Sequence, residues 1–291
     1  MKKSVAVIGA KGYVGQHLCD RLIKNNMDVL RFSAGDINGI SLTTGLFPES
    51  FSLPSELSAV YFLAQSPHYR NAPQQSVHLL SVNCIAATQA AEAARRAGIK
   101  RFIYASTGNV YKPSFTPISE SSPVRRDNWY ALSKVMAEDA LALYRNDLDV
   151  TITRIFGVYG PGQKDKLVPM LAGMIQNGKD ISIDKNPTNP QDQDGLCVSL
   201  LYIDDLTKAL LSLLTIQNCE VINLAGAHPV SIRSLATELS NSFNLPLRIQ
   251  MNDTERAFNL ISDTQLQVNL LGNPMTSLAE GIQQFCNAYA Q

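Results

Sequence analysis

Apolar runs of strand length alternate with segments of helical period from the first residues onward. Residues 4–9 form a continuous apolar stretch suited to a strand buried on both faces, and Val14, Leu18 and Leu22 then recur at helical spacing before residues 28–32 return to a strand. This is a βαβ unit. Further strands are expected at 59–64, 101–106, 150–156, 198–203 and 221–224, with helices at 76–97, 129–144 and 204–214 between them. Parallel strands joined by right-handed helical crossovers make an α/β fold with a doubly wound sheet.

Residues 34–57 break the pattern. They are rich in Gly, Ser, Thr and Pro with little periodicity, which predicts an irregular connection. Beyond about residue 157 the elements shorten, a polar stretch KNPTNPQDQDG spans 185–195, and amphipathic helices are expected at 231–243 and 276–289. The sequence therefore divides into a domain over 1–156 and a smaller C-terminal region over 157–291, from which strands near 198–203 and 221–225 are expected to return to the main sheet.

Composition narrows the function classes. The chain has 291 residues, is 45% hydrophobic, and carries as many acidic as basic side chains, so no basic footprint points to nucleic acid or an anionic membrane. Its five cysteines are scattered and odd in number, and its four histidines show no metal-ligand spacing. No apolar stretch has transmembrane length, and the opening MKKSVAVIGA runs straight into a glycine loop, so a cytoplasmic, soluble protein is expected.

Two motifs carry candidate chemistry. In GAKGYVG, the residues Gly9, Gly12 and Gly15 stand where a chain turns tightly, lets backbone approach a pyrophosphate and packs a helix close to the sheet. The helix opening at Tyr13 and Val14 would present free amides to the phosphates. Tyr130 and Lys134 lie four apart in WYALSKVMAE, one helical turn, so the ammonium is expected to hold the phenol near its ionised form for proton transfer.

Together with VNCIAATQAAEAARRAGIKRFIYAST, TRIFGVYGPGQ, LLYIDDLTKAL, VINLAGAHPVSIRSLA and TSLAEGIQQF, these motifs make the chain resemble the extended short-chain dehydrogenase/reductase family nearly end to end. That family comprises NAD-dependent epimerases, dehydratases and reductases acting on sugar nucleotides. The resemblance implies a Rossmann-type fold, a C-terminal region that binds substrate, and Thr107 as the third catalytic group beside Tyr130 and Lys134. It also implies cofactor contacts at the Ala64–Gln65 turn, at Asn83 and at Ile155 and Phe156, and a homodimer formed through the helices at 76–97 and 129–144. Asn83 has a second reading, a buried amide holding two strand ends together.

Departures from the family pattern shape the expected reaction. The acid that would bind the adenosine ribose falls on Ser33; with Arg31 and Lys11 nearby, NADP(H) is favoured over NAD(H), although Asp36 is close enough in sequence to bind a ribose instead, and the two cations also fit as solvated surface charges. The dehydratases' Asp-Glu pair is Gly108 and Asn109 here, which disfavours dehydration and leaves epimerisation or keto-sugar reduction. The family's asparagine and arginine for the substrate diphosphate fall on Gly157 and Val198, leaving Lys164, Lys166, Arg125 or Arg126 to supply charge. The rival reading is a catalytically idle NADP(H)-binding sensor or interaction protein of the same fold.

Overall fold

The alternating pattern becomes regular structure in a computed structural model, which describes residues 3–289. In chain order, β1 (Ser4–Ile8), α1 (Tyr13–Lys24), β2 (Asp28–Phe32) and β3 (Leu57–Phe62) are followed by a long helix. That helix comprises α2 (Ser76–Leu80), a π-helical turn (Ser81–Ile85) and α3 (Ala86–Arg96). Next come β4 (Arg101–Thr107), a 3₁₀ turn (Gly108–Val110), α4 (Trp129–Ala142), β5 (Asp149–Ile155), β6 (Gly157–Tyr159), α5 (Leu167–Gln176) and β7 (Ile181–Lys185). The chain closes with β8 (Cys197–Tyr202), α6 (Ile203–Ser212), β9 (Val221–Leu224), β10 (Pro229–Ser231), α7 (Ile232–Phe243), β11 (Ile249–Glu255), α8 (Gln265–Leu271) and α9 (Leu278–Tyr289).

Six strands form the main sheet in the order β2-β1-β3-β4-β5-β9, and the pairings from β2 through β5 are parallel. Both faces are covered, which explains the unbroken apolar strands. Val60, Phe62, Phe102, Tyr104 and Ile152 pack against Ala87, Ala90, Ala91 and Ala94 of α3 and Ala137 and Leu141 of α4. Small alanines at those positions let α3 lie close to the sheet. On the alternate face, the Tyr61 hydroxyl donates to the Leu210 carbonyl of α6 (2.9 Å).

Residues 34–56 contain neither strand nor helix, as their composition predicts. Apolar anchors fix them instead: Ile40, Phe47 and Leu53 are buried, and Phe47 and Phe51 stack with centroids 3.8 Å apart.

The chain forms two compact units, the first comprising residues up to Lys112, Glu120–Ile155 and Thr207–Ile222, the second Pro113–Ser119, Phe156–Leu206 and residues from Asn223 onward. Within the second, β10-β8-β6 make a three-stranded sheet, β7 pairs parallel with β11, and α5, α7 and α9 pack together. The expectation that strand 198–203 returns to the main sheet is therefore corrected. β8 pairs with β6 and β10, because an apolar run such as CVSLLY fixes burial but not the sheet that receives it. β9 does join the main sheet.

Candidate active site

Most candidate groups of the first unit lie at or just past the carboxyl end of a parallel strand or on a helix beside it, where open α/β sheets place their ligand crevice. The glycine loop follows β1. Its Gly9 has φ +91° and a Cβ there would sit 2.7 Å from the Ala64 backbone nitrogen, so the turn after β3 packs directly on it. At Gly15 a Cβ would meet the Gly9 carbonyl oxygen at 2.1 Å, an approach that no side chain permits. Gly12 caps α1 without a side-chain bond, and the loop is held to β2 by amides of Gly9 and Ala10 donating to the Phe32 carbonyl (2.8 and 3.1 Å). Half-buried Tyr13 and Val14 open the helix. A glycine cradle against a helix start whose first amides no side chain caps fits a dinucleotide pyrophosphate.

At the end of β2, where the family pattern places a carboxylate, stands Ser33. The fold brings one back. Asp36 accepts from the Ser33 amide (3.0 Å) and from Lys11 Nζ (2.7 Å), while the Lys11 amide donates to Ser33 Oγ (3.2 Å). The Lys11 contact holds the Asp36 carboxyl below the usual carboxylate range. Arg31 lies 4.0 Å from Asp20 of α1. Neither cation stands free for a 2′-phosphate, so the geometry gives the expected NADP(H) preference no support.

Tyr130 and Lys134 emerge from the first turns of α4, capped by Asn128, whose side chain accepts from the Ala131 amide (2.8 Å). The phenol donates to Gln65 Oε1 (3.0 Å), joining α4 to the turn after β3. Buried Lys134 donates to the Ala105 carbonyl (2.7 Å) and lies over the Tyr104 ring, 4.8 Å from its centroid. Thr107 closes β4 and caps the 3₁₀ turn, its hydroxyl accepting from the amide and the side chain of Asn109 (3.2 Å each). Its register partner on β5 is Ile155, while Phe156 donates its amide to the Leu224 carbonyl within the second unit.

One electrostatic expectation is corrected. Rather than being held near its ionised form, the Tyr130 phenol is pushed up to about 12 by burial, against a lowering contribution from the Thr107 hydrogen bond. Burial likewise pushes Lys134 down to about 7, with Glu138 acting in the opposite direction. Desolvation is the largest influence on both groups.

Asn83 is a buried bridging amide, joined to a turn and a helix rather than to two strand ends. Fully buried in the π-helical turn, its side chain accepts from the Ser66 amide (3.1 Å) and donates to Ser133 Oγ (2.9 Å), while its carbonyl accepts from Tyr104 (2.8 Å). The extra residue of the π turn aims this amide between the turn after β3 and α4. Ser66 in turn bonds His78 Nδ1 (2.9 Å), and the Tyr69 ring tilts against Tyr130 with centroids 5.5 Å apart.

In the second unit Gly157 and Val198 lie on neighbouring strands, β6 and β8. A Cβ at Gly157 would sit 2.8 Å from Leu200 Cδ2, and Val198 is buried opposite Val230, so both positions are filled by packing rather than by polar groups. Lys166 is the exposed N-cap of α5 and Lys164 is exposed nearby. In the first unit Arg125 and Arg126 pair with Asp127 and Asp139. The sequence reading missed Arg256, a buried guanidinium that bonds Asn259 Oδ1 (3.1 Å) and Asp192 and stands 5.9 Å from the Phe115 ring centroid. It also missed the buried Glu138–Arg154 pair. A charge embedded in the apolar strand TITRI was the available signal for the latter. Among the described residues no group of three or more His, Cys, Asp or Glu could hold a metal, and no helix is long and apolar enough to cross a membrane.

Comparison with known proteins places these features in a family. The model of the NAD dependent epimerase/dehydratase family matches residues 5–225. A putative UDP-glucose 4-epimerase of Methanocaldococcus jannaschii is 24% identical, with 97% of each chain covered. A dTDP-D-glucose 4,6-dehydratase of Mus musculus is 27% identical over 81% of this chain and 72% of its own. Among solved structures, UDP-glucuronic acid 4-epimerase from Bacillus cereus in complex with UDP-glucuronic acid and NAD superposes with TM-score 0.80 at 21% identity, covering 99% of both chains. MoeE5 in complex with UDP-glucuronic acid and NAD gives 0.81 at 22%, also over 99% of both. With glycine cradle, parallel sheet and family model in agreement, the chain belongs to the NAD-dependent epimerase/dehydratase family, within the extended short-chain dehydrogenases/reductases.

Proposed function

We propose that this protein is an NAD(H)-using epimerase or keto-sugar reductase acting on a nucleotide sugar, with Thr107, Tyr130 and Lys134 as its reacting site. The observation that supports the reading is the position of Thr107 at the end of β4, hydrogen-bonded to the Tyr130 phenol, with Tyr130 and Lys134 in the first turns of α4, beside a turn, Gly108–Asn109, that has no carboxyl group. When bound, a nicotinamide accepts hydride from a carbinol carbon and can return it. The chain's part is to move the proton. As the phenolate, Tyr130 takes it from the substrate hydroxyl, and as the phenol it gives it back to the carbonyl, while Thr107 hydrogen-bonds the same oxygen and Lys134 lowers the cost of the phenolate. Gln65, which holds the phenol proton in this structure, must yield its contact to the substrate.

Elimination of water needs a proton donor and acceptor at the neighbouring carbons. Gly108 and Asn109 exchange no proton at neutral pH, so the reading excludes the 4,6-dehydratase reaction from this site although a relative carries that name. Lys11, Gly12, Tyr13, Gly15 and Ala64 would hold the dinucleotide, and Asp36 would take the adenosine ribose hydroxyls, which selects NAD(H) over NADP(H). The packed positions Gly157 and Val198 leave Lys166 as a candidate for the substrate diphosphate, and favour a substrate other than the common UDP-hexoses. Exposed Val77, Ile85, Met136 and Leu143 on α2 to α4 support a homodimer formed through these helices. Incubation with NAD or NADH and a panel of nucleotide sugars, read by proton NMR of the sugar and by cofactor absorbance, tests the proposal; a folded, cofactor-bound protein that transforms none of them refutes it.

A further inference from the structure

One helical turn beyond Lys134 on α4 lies a buried ion cluster that the proton-transfer scheme does not use. Glu138 accepts from Ser106 Oγ of β4, and Arg154 of β5 donates to it through Nε (3.2 Å to each carboxylate oxygen) and Nη2 (2.6 Å). Nη1 of Arg154 is satisfied by the Tyr111 hydroxyl and the Glu120 carbonyl (3.0 Å each), with the guanidinium 4.8 Å from the Tyr111 ring centroid. The paired side chains are 7% and 9% exposed. Desolvation makes such a pair a poor source of net stability compared with apolar packing, so its presence here calls for another use.

Its attachments indicate that use. Ser106 precedes Thr107, Arg154 precedes Ile155, and Glu138 follows Lys134 by one turn, so every member of the cluster is a chain neighbour or a helical neighbour of a site group. Lys134 itself, 2% exposed, donates to the carbonyl of Ala105, the residue before Ser106. We propose that Glu138 is a positioning residue that serves as the counter-charge of Lys134, that Ser106 holds its carboxylate, and that Arg154 offsets part of its charge, so that the cluster sets how readily the lysine is charged inside the fold. Other titratable groups on the elements packed around this stretch are Tyr130 and Asp139 on α4, Tyr104 and Arg101 on β4, Asp149 on β5, Tyr111 and Glu120 beyond the 3₁₀ turn, Cys84 in the π-helical turn, Glu92, Arg95 and Arg96 on α3 and His78 on α2. None of them opposes the burial of the lysine charge as Glu138 does.

The inference rests on Lys134 being the cation of the proposed site, but it is tested on the full chain without substrate, so failure of the substrate assignment leaves its outcome readable. Protein labelled with ¹³C-lysine is titrated by NMR, and a Lys134→Met sample identifies the Lys134 signal. Glu138→Gln removes an attractive charge and lowers the Lys134 midpoint by about one pH unit; Arg154→Gln removes a repulsive one and raises it. Purely structural damage would move both variants the same way. Midpoints that shift together, or not at all, overturn the proposal. If Glu138→Gln does not fold, Arg154→Gln decides alone: a midpoint that stays or falls refutes it.

Discussion

Replacing Asp36 by alanine tests how this chain chooses its cofactor. In the wild type the carboxylate is fixed at two points, by the Ser33 amide (3.0 Å) and Lys11 Nζ (2.7 Å), so it is already placed at the end of β2 before any ligand arrives. Two hydroxyls of an adenosine ribose would find an ionised acceptor there. Charge-assisted bonds of that kind are worth on the order of 10- to 100-fold in affinity, and a 2′-phosphate would meet repulsion instead. Asp36→Ala is expected to weaken NADH by about that factor and also to release Lys11, an exposed ammonium whose backbone amide bonds Ser33 Oγ, toward a 2′-phosphate. NADPH affinity should rise, so that the NADH-to-NADPH ratio falls by about 100-fold or more. Calorimetric titration of both reduced cofactors onto wild type, Asp36→Ala and the double variant Asp36→Ala/Lys11→Ala measures each part. In the double variant the gain toward NADPH should vanish while the loss toward NADH remains. Tighter NADPH binding by the wild type, or an unchanged ratio in Asp36→Ala, refutes the reasoning.

Gly15→Ala puts a methyl 2.1 Å from the Gly9 carbonyl oxygen, against backbone that cannot move aside locally, so thermal unfolding should show a loss of about 1–3 kcal/mol or more together with loss of NADH fluorescence enhancement. Lys134 lies near 7 in the folded chain and about 10.4 when unfolded, so between those values the unfolded state binds the extra proton and stability should rise with pH. Urea unfolding should show that rise in the wild type and its absence in Lys134→Met. Sedimentation at micromolar concentration should give a dimer, weakened by Ile85→Glu with Met136→Glu, whose apolar side chains are about half exposed on the paired helices.

The parallel sheet and its cofactor edge were legible because their signals are local. Glycine spacing, strand-length apolar runs and a one-turn Tyr-Lys pair each follow from backbone geometry within a few residues. What the sequence hid depends on how segments return. Asp36 reaches the end of β2 only because the loop folds back so that Gly35 donates to the Ile40 carbonyl (2.9 Å), a turn no periodicity reports. Asn83 became structural through a π turn inside an otherwise ordinary alanine-rich helix. The strand at β8 carried the right apolar content for the main sheet and joined another. The Tyr130 phenol, expected near its ionised form, is raised by burial that one-dimensional spacing does not convey.

The central claim is that a proton passes through Tyr130 while hydride moves between a sugar carbon and the nicotinamide. Its most direct test is stopped-flow absorbance of the reduced cofactor, with NAD-loaded wild type and Tyr130→Phe mixed with a panel of nucleotide sugars that includes UDP-glucose. The account predicts reduced-cofactor formation with at least one deoxy-sugar nucleotide or with the alcohol of a keto-sugar nucleotide, little with UDP-glucose, and a rate about 10²–10⁴-fold lower in Tyr130→Phe at unchanged NAD affinity. Equal rates in the two proteins would contradict it.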